Sequence, residues 1–272
     1  MTLLRRSFTL AALAGTLLGC ASPGPSPSAL AAVPGAEAVK QLAPTGSLRI
    51  GVYPGSPTSM VKSAAGEARG VTVEVGRALA ARLGVPAQLV EFPRVAEVVE
   101  ALKAGRVDFT ITNASPARAA EVDFTPPLIE IELGYLVVPG SSVATLADVD
   151  QPGRRIGVSQ GSSSLAALTR EFKHAAIVTA PTLQEARELL GRREIDAFAT
   201  NKAILSEMAD ALPGAKILAG RWGLEHVAIA LPKGRAEGLA FVRRFAEEAK
   251  ANGLVAGAAQ RAGLRGTRAP GT

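Results

Sequence analysis

From Ser47 onward the chain alternates short apolar strands with amphipathic helices, and it runs through that alternation twice. Leu48-Arg49-Ile50-Gly51-Val52 reads as a strand, Val71 to Leu83 as a helix stopped by Gly84 and Pro86, and Ala87 to Phe92 as a second strand. Val95, Val98, Val99 and Leu102 share one helical face closed by Gly105, and Val107 to Thr112 is a third strand. Ile129 to Pro139 is a long strand leading into the second copy: a strand at Arg155–Val158, a helix from about Ser163 to Phe172, and a strand at Ala176–Thr179. Thr182-Leu183-Gln184-Glu185 has capping-box spacing and opens a helix with Leu183, Ala186, Leu189 and Leu190 inward. Ile195–Ala199 and Val227–Leu231 are strands, Lys202–Ala211 a helix, and Leu239, Val242, Ala246 and Ala249 mark a closing helix. This rhythm predicts an α/β fold with parallel sheets covered by helices on both faces. It divides into two lobes, 46–136 plus 227–265 and 137–226. Crossings near Gly134–Val138 and Glu225–Ala230 form a hinge over a central cleft. Ligands of such sheets bind beyond the carboxyl ends of the strands. Tyr53, Asn113, Ser115, Ser159 to Ser163, Thr200 and Asn201 stand there, polar and mostly uncharged, as suits binding.

The ends of the chain belong to another layer of organisation. Arg5 and Arg6 precede an uncharged stretch from Phe8 to Gly19, too short to span a bilayer and right for a signal peptide over 1–19. Arg5-Arg6-Ser7-Phe8-Thr9-Leu10 also has the form of a twin-arginine motif. Leu17-Leu18-Gly19-Cys20 resembles a lipobox, and it holds the single cysteine of the chain. Cleavage before a lipidated Cys20 stands beside an ordinary secretory cut after Ala29-Leu30-Ala31. Ala21 to Ser28 opens a Pro/Ser/Gly tether taken to run from 20 to 45, and 266–272 reads as a flexible tail. One cysteine and two histidines, His174 and His226, give no basis for a metal site or a disulfide framework. Aromatics at 4% are too few for a nucleic-acid stacking platform. Losing Arg5 and Arg6 leaves 28 basic against 24 acidic groups, a mild +4 compatible with anionic small ligands.

Several stretches, in order, resemble one family. They are Gly46–Val52; Ala104-Gly105-Arg106-Val107-Asp108 with Ser115-Pro116-Ala117-Arg118 and Val122–Pro127; Arg155–Ser163; Ile195–Phe198; and Ile229–Gly234. Together they resemble the family 3, amino-acid-type solute-binding proteins of ABC importers, over nearly all of Gly46 to Gly263. The resemblance implies a periplasmic-binding-protein-like fold. It also implies a small carboxylate-bearing solute as ligand, and ABC permease and ATPase subunits as partners. The expected protein is an exported monomer with no cofactor and no nucleic-acid partner, and the lipobox at Cys20 adds a lipid anchor in the periplasm. Arg118 would clamp the ligand carboxylate, Ser115 would add a hydroxyl or amide, and Gly161, Ser162 and Ser163 would present amides at a helix N-terminus. From spacing alone Arg118 equally suits a surface pair with Glu121 or Asp123, and the serines suit an N-cap.

Two positions depart from the family pattern. Aspartates that usually meet a ligand ammonium are replaced by Tyr53 and by Asn201, beside Lys202. A buried ammonium without a counter-charge is costly. Glu225 could supply that charge from the hinge, or could bond local backbone amides. A carboxylate lacking an ammonium would suit Asn201, Lys202 and Arg118. Tyr53 could form an apolar wall or cover the sheet edge. The expected function is solute capture by lobe closure, without a chemical step. The alternative is an enzyme resembling cyclohexadienyl (prephenate/arogenate) dehydratase, for which Glu225 and His226 are the one acid–base pair available.

Overall fold

The computed structural model describes residues 33–268. Its elements, in chain order, are helix α1 (Ala36–Leu42), strands β1 (Leu48–Val52), β2 (Val61–Lys62) and β3 (Ala68–Arg69), α2 (Val71–Leu83), β4 (Ala87–Glu91), α3 (Val95–Lys103), β5 (Thr110–Asn113), α4 (Pro116–Ala119), β6 (Val122–Phe124) and β7 (Ile129–Val137). They continue with β8 (Arg155–Ser159), α5 (Ser163–Glu171), β9 (Ala176–Ala180), α6 (Leu183–Gly191), β10 (Ala197–Asn201), α7 (Lys202–Asp210), β11 (Lys216–Ile217), β12 (Gly223–Pro232), α8 (Ala236–Ala251), α9 (Leu254–Arg261) and β13 (Thr267–Arg268). The predicted bounds of α2 are those observed. Gly84 ends that helix in the left-handed region at φ 70°, where a side chain would be strained.

Each lobe is three parallel strands closed by a long antiparallel one. In the first, β4 pairs β1 in parallel, β1 meets β5 through Ile50 and Phe109, and β12 runs antiparallel to β5. In the second, β9, β8 and β10 are parallel and β7 is antiparallel to β10. The long strands β7 and β12 also pair with each other, so one sheet passes continuously through the hinge. Leu133 is the pivot of the register: it faces Gly223 of β12 on one side and Asn201 of β10 on the other. Alternation along the second-lobe strands divides its core between two faces. Tyr135, Val137, Ile156, Val158, Ala197 and Ala199 pack on one, while Leu136 and Phe198 pack on the other.

A fork at the base of each lobe repeats. In the first lobe the Arg49 guanidinium grips Asp108 at 2.7 and 2.8 Å and reaches the Gly105 carbonyl at 2.7 Å. In the second, Arg155 holds Asp196 at 3.4 and 3.1 Å and reaches the Arg193 carbonyl at 2.7 Å. Both arginines open the same tetrapeptide, Arg-Ile-Gly-Val, at 49–52 and 155–158. Gly105 and Arg193, just past α3 and α6, share the left-handed region at φ 67° and 58°.

Two segments differ from their reading by composition. Residues 36–42 were assigned to the tether but form α1, whose Leu42 is fully buried against the glycine-lined face of α8 at Gly238. Residues 267–268, assigned to the tail, pair with Glu130 and Ile131 of β7. Cys20 and the signal segment lie outside the described residues. Among the described residues, no helix is long and apolar enough to cross a membrane.

Candidate functional site

The ends of β1, β5, β8 and β10 converge between the lobes, as the strand-end rule requires, around a cavity of about 40 Å³. That volume holds about three water molecules. Two arginines, Arg94 and Arg118, and one carboxylate, Glu225, line it. Arg118 stands on the one-turn helix α4, whose start Ser115 caps by accepting from the Arg118 amide at 3.4 Å. Its guanidinium donates to Thr112 Oγ1 at 2.7 Å and to the Asn113 carbonyl at 3.4 Å, not to Glu121 or Asp123. Glu225 comes from β12, where alternation turns it inward, 8% exposed. Asn201 Nδ2 donates to its Oε2 at 2.8 Å and Ser163 Oγ to its Oε1 at 3.2 Å.

Burial dominates the electrostatics. It raises the Glu225 carboxyl above the ordinary carboxylate range, against the opposing hydrogen bond from Asn201 and the attraction of Arg118. Burial lowers the Arg118 guanidinium in turn, with Glu225 as the main opposing charge. Tyr53 shares the same field; burial raises its phenol, whose hydroxyl donates to Ser56 Oγ at 3.3 Å. Each of these charges is therefore destabilised by desolvation and partly compensated by the other.

Of the residues singled out from sequence, Tyr53, Asn113, Arg118, Ser159, Ser162, Ser163, Thr200, Asn201 and Glu225 line the cavity together. Four stand outside its lining, Gln160 among them. Ser115 is occupied as the α4 cap. Gly161, in the left-handed region at φ 68°, lies against Ala96 of the other lobe. Lys202 points away to Glu132, which its ammonium at 2.6 Å holds below the ordinary carboxylate range. Ser162 also caps α5, accepting from Leu165 at 3.1 Å, so its N-cap reading and its cavity position coexist. Asn201 likewise caps α7, accepting from Ile204 at 3.0 Å.

The neighbouring candidates lie elsewhere. His226 faces away from Glu225 on β12, exposed and 3.2 Å from Glu130, so strand alternation separates the two groups that an acid–base pair would need together. Trp222 packs on Tyr135, their ring centroids 6.0 Å apart, and donates to the Gly134 carbonyl. Thr58, Arg94, Thr112 and Thr182 complete the polar lining and were not singled out from sequence. Arg94 follows β4 and was reachable by the same strand-end rule; Thr58, between β1 and β2, carried no periodic signal. Among the described residues no group of three or more His, Cys, Asp or Glu is placed to hold a metal ion.

Solved structures share this architecture. The solute receptor for L-cysteine of Neisseria gonorrhoeae is 26% identical, with a TM-score of 0.74 over 82% of this chain and 92% of that one. An ancestral arginine-binding protein bound to arginine is 26% identical, with a TM-score of 0.71 over 79% and 97%. An ancestral amino acid-binding protein, a precursor of cyclohexadienyl dehydratase, matches at 22% identity and a TM-score of 0.72 over 82% and 98%, a likeness of fold. No curated protein matches the chain. The model of one family matches residues 48–262, the span that carries both lobes, the hinge strands and the cleft. The chain belongs to the bacterial extracellular solute-binding proteins, family 3.

Proposed function

We propose that this protein is the substrate-binding subunit of an ABC importer, held at the membrane through lipid on Cys20, and that it closes its lobes on a free amino acid. In this reading Arg118 takes the carboxylate and Glu225 takes the ammonium. Tyr53, Asn113, Ser162, Ser163 and Asn201 frame the two. The observation that carries it is the pair of opposite charges, Arg118 and Glu225, desolvated in one small interlobe cavity. A zwitterion adds a counter-charge to both at once, whereas a plain carboxylate adds none to Glu225. Lys202 is drawn away to Glu132 and takes no part in the cavity lining. Cysteine and arginine ligands in the named solved structures support the same class.

Titration calorimetry on the protein stripped of co-purifying solute tests this, with free amino acids run beside their deaminated and decarboxylated analogues. An amino acid should bind at least about a hundredfold more tightly than either analogue, since each loses one charge-assisted contact to a buried partner. Arg118→Ala should abolish binding. Equal affinity for the deaminated acid would overturn the role of Glu225.

The raised carboxyl of Glu225 also favours a second reading, an enzyme in which Glu225 acts as a general acid on a cyclohexadienyl acid. Turnover of prephenate or arogenate that Glu225→Gln abolishes would establish it, and binding without turnover would end it.

A further inference from the structure

The cavity around Arg118 and Glu225 is small, about 40 Å³. A second interlobe cavity of about 350 Å³ adjoins it, and Thr182 and Leu183 line both. Pro54, Gly55 and Pro93 form its first-lobe wall; Leu183, Arg187 and Met208 belong to the second lobe. A side chain that leaves the head group past Thr182 and Leu183 would enter this space.

The charges along that path are mostly of one sign. Arg94 lines the first cavity. Its partner is Glu97, 2.8 Å away on the same helix turn, with both side chains part-exposed. Such a pair contributes little, so Arg94 is available to a better anion. Arg187 lines the second cavity and has no hydrogen-bond or ion-pair partner among the described residues. Glu207 is the one carboxylate there, and Arg265 at 3.5 Å already answers it. Burial favours the neutral form of Glu207 as well.

Resting on the amino-acid reading above, we infer that the solute's side chain carries an anionic group, received between Arg94 of the first lobe and Arg187 of the second. The ligand is thus an acidic amino acid, with one carboxylate on Arg118, the ammonium on Glu225 and the second carboxylate at the passage between the cavities. Two arginines from opposite lobes would also make that carboxylate a bridge that favours the closed state.

Calorimetry with L-glutamate, L-aspartate, L-glutamine, L-alanine and L-arginine decides it. Glutamate or aspartate should bind about ten- to a hundredfold more tightly than glutamine, the span expected of a charge-assisted contact. Arg94→Met and Arg187→Met keep most of the apolar stem, and each should shrink the glutamate-to-glutamine ratio toward one. The wild-type ratio stands on its own if a variant fails to fold. Tightest binding of arginine, or of a neutral amino acid, would overturn this inference and leave the amino-acid reading standing. Binding of none of the five nor of any other free amino acid would overturn both. A ratio unchanged in the double variant would overturn the assignment to these two arginines.

Discussion

At the scale of single residues, the negative charge of the cleft stands on β12, at Glu225. Asn201 donates to Glu225 at 2.8 Å, so an aspartate at 201 would set two carboxylates against each other at hydrogen-bond distance. With the negative charge on β12, an amide at 201 can both cap α7 and orient that carboxylate. The placement has a consequence for pH. Burial raises the Glu225 pKa, and in the proposed reading a ligand ammonium would bind its ionised form. Affinity is therefore full above that raised pKa and is lost as pH falls through it. The loss begins above the ordinary carboxylate range and steepens to at most about tenfold per pH unit. Titrating the tightest-binding amino acid from neutral to mildly acidic pH should show this decline, and Glu225→Gln should bind weakly with the decline gone. A flat profile down to the ordinary carboxylate range would remove Glu225 from ammonium recognition.

At the scale of elements, the two lobes are built on one plan, and it shows most clearly in glycines with different duties. Gly51 and Gly157 occupy the third place of the repeated tetrapeptide and are packed shut. A Cβ on Gly157 would meet the Ile195 Cδ1 at 2.4 Å, and one on Gly51 would meet Val98 at 2.9 Å. Gly105 has open space around its Cβ direction and is required only for its left-handed backbone, the conformation its counterpart Arg193 adopts with a side chain. Gly105→Ala should thus cost about 1 kcal/mol, with Gly105→Asn milder because asparagine tolerates that region. Gly157→Ala should cost about 1–3 kcal/mol by overpacking, with Gly157→Asn worse. Denaturant melts of the four variants read the two orders; the same order at both positions would mean that space and backbone had been misassigned. This layer was legible in part. The period-3.6 faces of α2, α3 and α6 and the polar strand ends were readable because each follows from local alternation. Helix α1 was not, since its Gly-Ala-Pro-rich surroundings resemble a linker and its Leu42 finds a core only when α8 arrives from residues 236–251. The inward turn of Glu225 and the outward turn of His226 needed the register of β12 on β7, which pairs residues nearly a hundred positions apart.

At the scale of the whole molecule, the lobes meet through few and small contacts on either side of the cleft. Ala96 of α3 lies on Gly161 ahead of α5, Gly55 lies on Leu183, and Asn113 Nδ2 donates to Ser163 Oγ at 3.1 Å. Ser163 passes that contact on to Glu225, so the first lobe, the second lobe and the hinge strand are joined in one line of hydrogen bonds. Contacts between lobes exist only when the lobes are shut, and a solute's apparent affinity contains the fraction of molecules able to shut. A bulkier residue at 96 strikes Gly161 without touching Arg118, Glu225 or the core of either lobe. Ala96→Leu should therefore weaken binding by about 5- to 150-fold, the equivalent of an overpacking cost of about 1–3 kcal/mol charged to the closed state. The ligand-free melting midpoint should move far less than the affinity, because Ala96 belongs to no core cluster of either lobe. Solution scattering adds a second reading: the contraction produced by the tightest-binding amino acid in the parent protein should diminish at matched ligand concentration and return at saturation. Unchanged affinity in Ala96→Leu would mean that capture does not pass through the meeting of Ala96 with Gly161, and the close approach of α3 to the turn before α5 would then be a consequence of packing within the hinge alone.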